Sequence, residues 1–265
     1  MVDVKMPLTA HLEELRSRLI RALLAVAVGF AVCYGIAEKL FELLTQPLLG
    51  LNTTLDQADA VHLIGTGVGE AFFTKLKVSF IGGVFLASPM ILYQMWRFVA
   101  PGMYTHEKRY ALPFVFFGTV FFVGGAYFCY ALVLPVGYRF FIEQYATIRI
   151  NPEIRISEYL TFTSRMLLAF GVTFELPVFT FFLSRIGIVT YRMMLRYTRY
   201  AILVIFIVAA VLTPGPDVAS QLLMAGPLLL LYAASIGVAY VFGKREERTV
   251  AAAADDDDIS TDEPA

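Results

Sequence analysis

The chain has 265 residues, of which 58% are hydrophobic and 16% charged, with a net charge of −1. Soluble domains carry about 25% charged residues, so an ordinary soluble fold is excluded, and the near-zero net charge removes any bulk electrostatic case for nucleic acid or anionic lipid. The apolar residues gather into long runs separated by short polar stretches, and several runs reach the roughly 18 residues that a bilayer span needs.

In chain order, residues 1–18 form a cytoplasmic amphipathic segment. Leu8, Leu12, Leu15 and Leu19 recur at spacings of four, three and four, one stripe of a helix, with Glu13, Glu14, Arg16 and Arg18 elsewhere around it. That pattern predicts a helix lying along the membrane surface before the chain turns into the bilayer. Glu14 and Arg18 are spaced to pair at i, i+4. The first span covers 19–37, too long and without a clean cleavage site for a removable signal sequence. A long outer connection, residues 45–74, is expected to cap the helix ends with short helices of its own. Within it, Gly65-Thr66-Gly67-Val68-Gly69 misses the spacing of a dinucleotide fingerprint and predicts a flexible loop.

The second span, 78–95, leads into a basic and aromatic connection from Trp96 to Arg109 that contains one acidic residue, Glu107. The third span is 111–136, followed by a second outer connection, 137–159, again a candidate cap. The fourth, 160–183, carries Glu175 beside Pro177, about three helical turns inside Arg185. A carboxylate at that depth costs several kcal/mol, by the order of magnitude for charged groups in membranes, unless it is neutralised or paired. It is either a structural hydrogen bond to a neighbouring helix or a polar contact for something inserted, and Pro177 can bend the helix into a concavity. The fifth span, 200–213, offers about 14 residues, or roughly 21 Å against a hydrocarbon core of about 30 Å. Together with the sixth, 218–242, broken by Pro227, it predicts a thin spot. Residues 243–265 end in an acidic tail, Asp255 to Asp258, expected to be disordered.

The fold class is therefore an all-α membrane protein, six transmembrane helices in a concave bundle, since strict strand alternation is absent throughout. Alternate connections hold fourteen and seven Lys and Arg residues, and the positive-inside rule puts both ends in the cytoplasm. Tyr93, Trp96, Phe98 and Tyr104 at one boundary, and Tyr138, Phe140, Phe141 and Tyr145 at the other, fit aromatic belts. Cys33 and Cys129 lie in apolar runs and suit packing better than a disulfide. His11, His62 and His106 fall on different connections with no metal-ligand spacing, so no metal site is expected.

Five stretches then stand out in order: His11-Leu12-Glu13-Glu14-Leu15-Arg16; Gln46-Pro47-Leu48; Ser88-Pro89 with Tyr93 to Tyr104 and His106-Glu107; Phe170-Gly171-Val172-Thr173-Phe174-Glu175-Leu176-Pro177; and Thr213-Pro214-Gly215-Pro216-Asp217. With six spans they make the chain resemble the TatC family, the core receptor of the twin-arginine protein translocase, over nearly all its length before the acidic tail. The resemblance implies a receptor for twin-arginine signal peptides on folded cargo, in a cell inner membrane, oligomeric within a hetero-complex that includes the single-span partners TatB and TatA. It implies no enzyme activity and no cofactor. Residue by residue it puts Glu14 and Glu107 near the signal arginines, Phe98 in the same surface, Arg16 and Tyr104 in support, Glu175 in the intramembrane cavity, and Pro47 and Asp217 in outer caps.

Physical chemistry fits that implication, because a guanidinium presents a planar donor fork that a carboxylate accepts bidentately, which lysine cannot reproduce. A folded domain is about 30 Å across, so six helices cannot enclose its passage alone and partners are needed. The rival reading is a small-solute or ion-coupled transporter using Glu175, which predicts internal repeats and discontinuous helices there. An intramembrane enzyme is weaker still, since Glu175 stands without a second catalytic candidate in the spans.

Overall fold

The computed structural model describes residues 8–50, 62–99, 111–147, 152–213 and 218–243. Its elements in order are α1 (Leu8–Gly35), α2 (Ala37–Leu49), β1 (His62–Ile64), α3 (Glu70–Val99), α4 (Ala111–Phe128), a π-helical turn (Cys129–Val133), α5 (Leu134–Thr147), β2 (Glu153–Arg155), α6 (Ile156–Ile186), α7 (Tyr191–Leu212) and α8 (Val218–Phe242). Among the described residues six rods are long and apolar enough to cross a membrane, the third made of α4, the π-helical turn and α5 together. The protein is thus a predominantly helical, six-span membrane chain.

Several span boundaries differ from those expected; the second span begins at Glu70 rather than 78. The amphipathic segment does not turn before the bilayer: α1 is one rod of 28 residues. No glycine or proline separates Leu12 from Ala27, and the long stems of Arg16, Arg18 and Arg21 let their charges reach water without leaving the helix. The third rod continues past 136 to Tyr145. Pro135, which cannot donate a backbone bond, follows directly on a π-helical turn where the ladder is already displaced. The fifth helix begins at Tyr191, capped by the Thr190 hydroxyl accepting the Met193 N–H at 3.2 Å. Its 22 residues span about 33 Å. The expected shortness belongs only to the uncharged part beyond Arg199, because arginines ended the count without ending the helix.

Helix α6 is the hub, packing on α3, α4, α7 and α8, while α1 packs mainly on α3 and α7 mainly on α8. The α1–α3 crossing is a glycine contact: a Cβ on Gly29 would come within 2.6 Å of the Gly83 carbonyl oxygen, so only hydrogen at both positions lets the backbones meet. Around α6 the core closes on Leu160, Met166, Phe170, Leu134, Met224 and Cys129. Cys33 and Cys129 are buried free thiols. Trp96 and Tyr138, expected in aromatic belts, are buried instead, only 4% and 6% exposed. Trp96 packs on Phe114 and Phe182, and Tyr138 bonds the Thr163 hydroxyl at 2.6 Å. In a span this aromatic, ring count alone does not separate belt from core.

The capped end carries a parallel two-stranded sheet, with His62 opposite Glu153 and Ile64 opposite Arg155. Strands of three residues are too short to announce themselves by alternation. The loop 65–69, expected to be flexible, is tied down: one oxygen of Glu70 accepts the N–H groups of Thr66 (2.6 Å) and Gly67 (3.1 Å), and the other accepts that of Ser157 (3.0 Å). One carboxylate therefore joins both outer connections. Of the short helices expected in the connections, α2 lies mostly before the first and reaches only its opening residues, and in the second α5 continues the third rod.

Candidate functional site

Pro47 lies buried inside α2 and has no N–H to give the carbonyl of Leu43 four residues earlier. The Tyr130 hydroxyl fills that vacancy, donating to the Leu43 oxygen at 2.9 Å, and the Tyr159 hydroxyl donates to the Leu44 oxygen at 2.6 Å. A proline that would weaken an isolated helix thus docks this one onto the bundle. Asp217, the other residue assigned to a cap, lies outside the described residues.

At the far end of the α1–α3 pair the glycine crossing sets the register. Fifteen residues from Gly29 along α1 stands Glu14; fifteen from Gly83 along α3, in the same direction, stands Phe98. The helices thus carry both residues to one level. Tyr104 and Glu107 lie outside the described residues, in the stretch between Val99, where α3 ends at this level, and Ala111, where α4 begins. Near the ends of the two helices, Trp96, Phe114 and Phe182 stack with ring centroids 4.6–5.4 Å apart, stitching α3, α4 and α6 together.

Glu14 is engaged by its own helix: Arg18 donates to Oε1 from Nε at 3.0 Å and also from Nη2. Arg16, assigned as the support of Glu14, is exposed, and Arg18 holds the carboxylate in its place. The phase of the helix decides this, since i, i+4 positions share a face and i, i+2 positions do not. Arg18 is only 12% exposed at its side chain, and its Nη1 has no hydrogen-bond partner among the described residues. Eleven residues from each glycine, the same register brings Arg18 level with Gln94. Gln94 is 4% exposed, and its Oε1 likewise has no partner. Sequence reasoning passed over Gln94, although an amide within an apolar run was signal enough.

Glu175 occupies the interior of α6, only 5% exposed, with neither carboxylate oxygen hydrogen-bonded among the described residues. The structural hydrogen bond weighed for it is absent there. Gly118 of α4 faces it so closely that an added Cβ would lie 3.2 Å from Oε2 and 3.1 Å from Leu92. From Pro177 onward along α6, an apolar hollow of about 240 Å³ opens between α4, α6 and α8, walled by Phe117, Phe121, Pro177, Val178 and Val238, with Glu175 outside its wall. α6 runs unbroken through Glu175 and Pro177, contrary to the discontinuous helix that the transporter reading required.

A family model described as Sec-independent protein translocase protein (TatC) matches residues 10–227. Among curated relatives, a protein named Sec-independent protein translocase protein TatC from Desulforapulum autotrophicum is 45% identical over 98% of this chain and 94% of its own length. One of the same name from Campylobacter jejuni is 42% identical over 86% and 91%, and one from Aquifex aeolicus 37% over 87% and 93%. A crystal structure of a twin arginine translocase receptor, TatC, superposes with a TM-score of 0.77 at 35% identity, covering 87% of this chain and 98% of that one.

Proposed function

The chain belongs to the TatC family of Sec-independent protein translocase proteins, and from that premise we propose that it is the receptor that binds twin-arginine signal peptides of folded proteins and nucleates the complex that exports them. The observation that carries the reading is the superposition, over most of both chains, on a solved twin-arginine translocase receptor. We place the site at the level end of α1 and α3, which carries Glu14 and Phe98 and from which the segment bearing Tyr104 and Glu107 begins.

The chemistry of recognition follows from the occupant already there. Glu14 holds the guanidinium of Arg18, which is the group a twin-arginine ligand brings. An incoming arginine competes with Arg18 like for like, while an incoming lysine offers charge without the fork. Each charge-assisted hydrogen bond nets about 1.5–3 kcal/mol, so Glu14 and Glu107 together supply ample discrimination between the two. Arg97, Lys108 and Arg109 repel generic basic segments that meet neither carboxylate.

Glu175 and the hollow farther along α6 receive the apolar part of the signal peptide or a span of TatB or TatA, whose polar group would meet the unpartnered carboxylate. The protein works in a cell inner membrane with both ends cytoplasmic, as its Lys and Arg distribution favours. It is oligomeric with those partners.

A photoreactive residue at position 107 tests the recognition site. A signal peptide with Arg-Arg should crosslink and one with Lys-Lys should not; equal crosslinking would sink the reading. Glu107→Lys should insert normally and block export of twin-arginine cargo, and normal export by that variant would remove Glu107 from the site.

A further inference from the structure

Towards the capped end, α1, α2, α3 and α4 leave an open groove of about 580 Å³ between them. Its walls include Val32 of α1, Leu40 and Leu43 of α2, Phe85 of α3, and Val123 and Ala126 of α4. The parts contributed by α1, α3 and α4 lie inside membrane-crossing rods. A groove of this size, apolar and at hydrocarbon depth, is filled by hydrocarbon rather than water.

The rim narrows the choice of hydrocarbon. Lys39 projects from α2 one helical turn from Ile36 and from Leu43, both of which line the groove. It is exposed, and no carboxylate pairs with it among the described residues. The neighbouring Lys75 differs, since it lies 3.3 Å from Glu38 and 5.3 Å from the Tyr34 ring centre, so its charge is already met. Tyr127 and Tyr130 also line the groove, and the Tyr130 hydroxyl bonds the Leu43 carbonyl. Phenolic groups settle where apolar chains meet headgroups. An apolar slot beside an exposed cation that is unpaired among the described residues has the polarity of a phospholipid, chain inward and phosphate outward.

We propose that this groove binds one acyl chain of a glycerophospholipid whose phosphate is held by Lys39. A signal-peptide segment fits it less well. The groove's α1 wall at Val32 is eighteen residues, about 27 Å, along the helix from Glu14, and a hydrophobic peptide core carries no anion for Lys39. The inference stands whether or not the other end recognises twin arginines.

The test uses the full-length protein in phosphatidylcholine nanodiscs doped with phosphatidylglycerol carrying a photoreactive group near the end of one acyl chain. Irradiation should label the α4 segment around Val123 and Ala126. Lys39→Gln should lower that labelling about fivefold, the factor expected for one basic residue at a lipid surface, and Lys39→Arg should keep it. Val123→Trp, which fills the slot without touching the headgroup, should abolish it. A photoreactive diacylglycerol, identical but without phosphate, should label at the Lys39→Gln level. Equal labelling by both probes, or insensitivity to Lys39→Gln and Val123→Trp, would overturn the proposal. So would displacement of the label by a peptide carrying only the apolar core of a signal sequence, which would make the groove a peptide site.

Discussion

The two ends of the bundle treat their polar groups in opposite ways. At the capped end they are closed: Glu70 accepts three backbone N–H groups, Tyr130 and Tyr159 satisfy carbonyls of α2, and Tyr138 bonds Thr163. Towards the other end and in mid-span they are open: Arg18 Nη1, Gln94 Oε1, Trp96 Nε1 and both oxygens of Glu175 are buried without a partner among the described residues. Ser164 of α6 is the exception to this division. Buried polar groups are ordinarily bonded because leaving them unmade costs about 1–3 kcal/mol each. Ser164 apart, one end therefore carries no such orphans among the described residues, and the other carries several that a ligand or a partner helix would relieve.

The largest effect expected from this contrast is at Glu14. Glu14→Ala should weaken binding of an Arg-Arg signal peptide about 10–100-fold, the loss of one charge-assisted bond, measured by titration in detergent. Its cost to folding should be about 1–3 kcal/mol, since the pair is intrahelical but Arg18 is only 12% exposed and would lose its partner. Unchanged affinity would show that the level end of α1 and α3 is not where arginines are read.

Glu175 sharpens the comparison from the opposite side. If its burial serves export at the expense of stability, Glu175→Leu should stabilise the isolated protein by about 1–3 kcal/mol while lowering export. Loss of stability in that variant would show that the carboxylate has a structural partner, and would move Glu175 from the open set to the closed one.

At the capped end, Glu70→Ala should leave signal-peptide binding unchanged. Amide hydrogen exchange at Thr66, Gly67 and Ser157 should accelerate about tenfold as the two connections separate locally. Protection as strong as in the parent protein would mean that the sheet of β1 and β2 holds the caps without the carboxylate.

Sequence made the six helices legible because lipid imposes a length and a polarity that composition reports directly. It did not reveal where helices begin, since Arg192, Arg196 and Arg199 read as a loop but occupy the first turns of α7. It marked Glu14 and Glu175 as odd carboxylates, and the i, i+4 spacing anticipated the pair of Glu14 with Arg18, yet it could not say that Glu175 would have no partner among the described residues. Those outcomes depend on helix phase and on contacts such as Gly118 against Glu175, which join residues far apart in the chain. Gln94 stood out in sequence only as an amide in an apolar run, and the glycine register is what sets it level with Arg18. The closure of the caps was invisible for the same reason, as Glu70 meets Ser157 across 87 positions.

The smallest expected effect is also the most specific. Tyr130→Phe removes the hydroxyl that satisfies the Leu43 carbonyl and should destabilise the protein by about 1 kcal/mol. The bond exists because Pro47 has no N–H to offer that carbonyl. In a Pro47→Ala background the helix regains its own donor, so Tyr130→Phe should then cost nearly nothing, and the double-mutant cycle should show a coupling of about 1 kcal/mol. Equal cost of Tyr130→Phe in both backgrounds would mean that Pro47 and Tyr130 act independently. The proline would then be a local feature of α2, and the capped end would lose the strongest case for having been closed residue by residue.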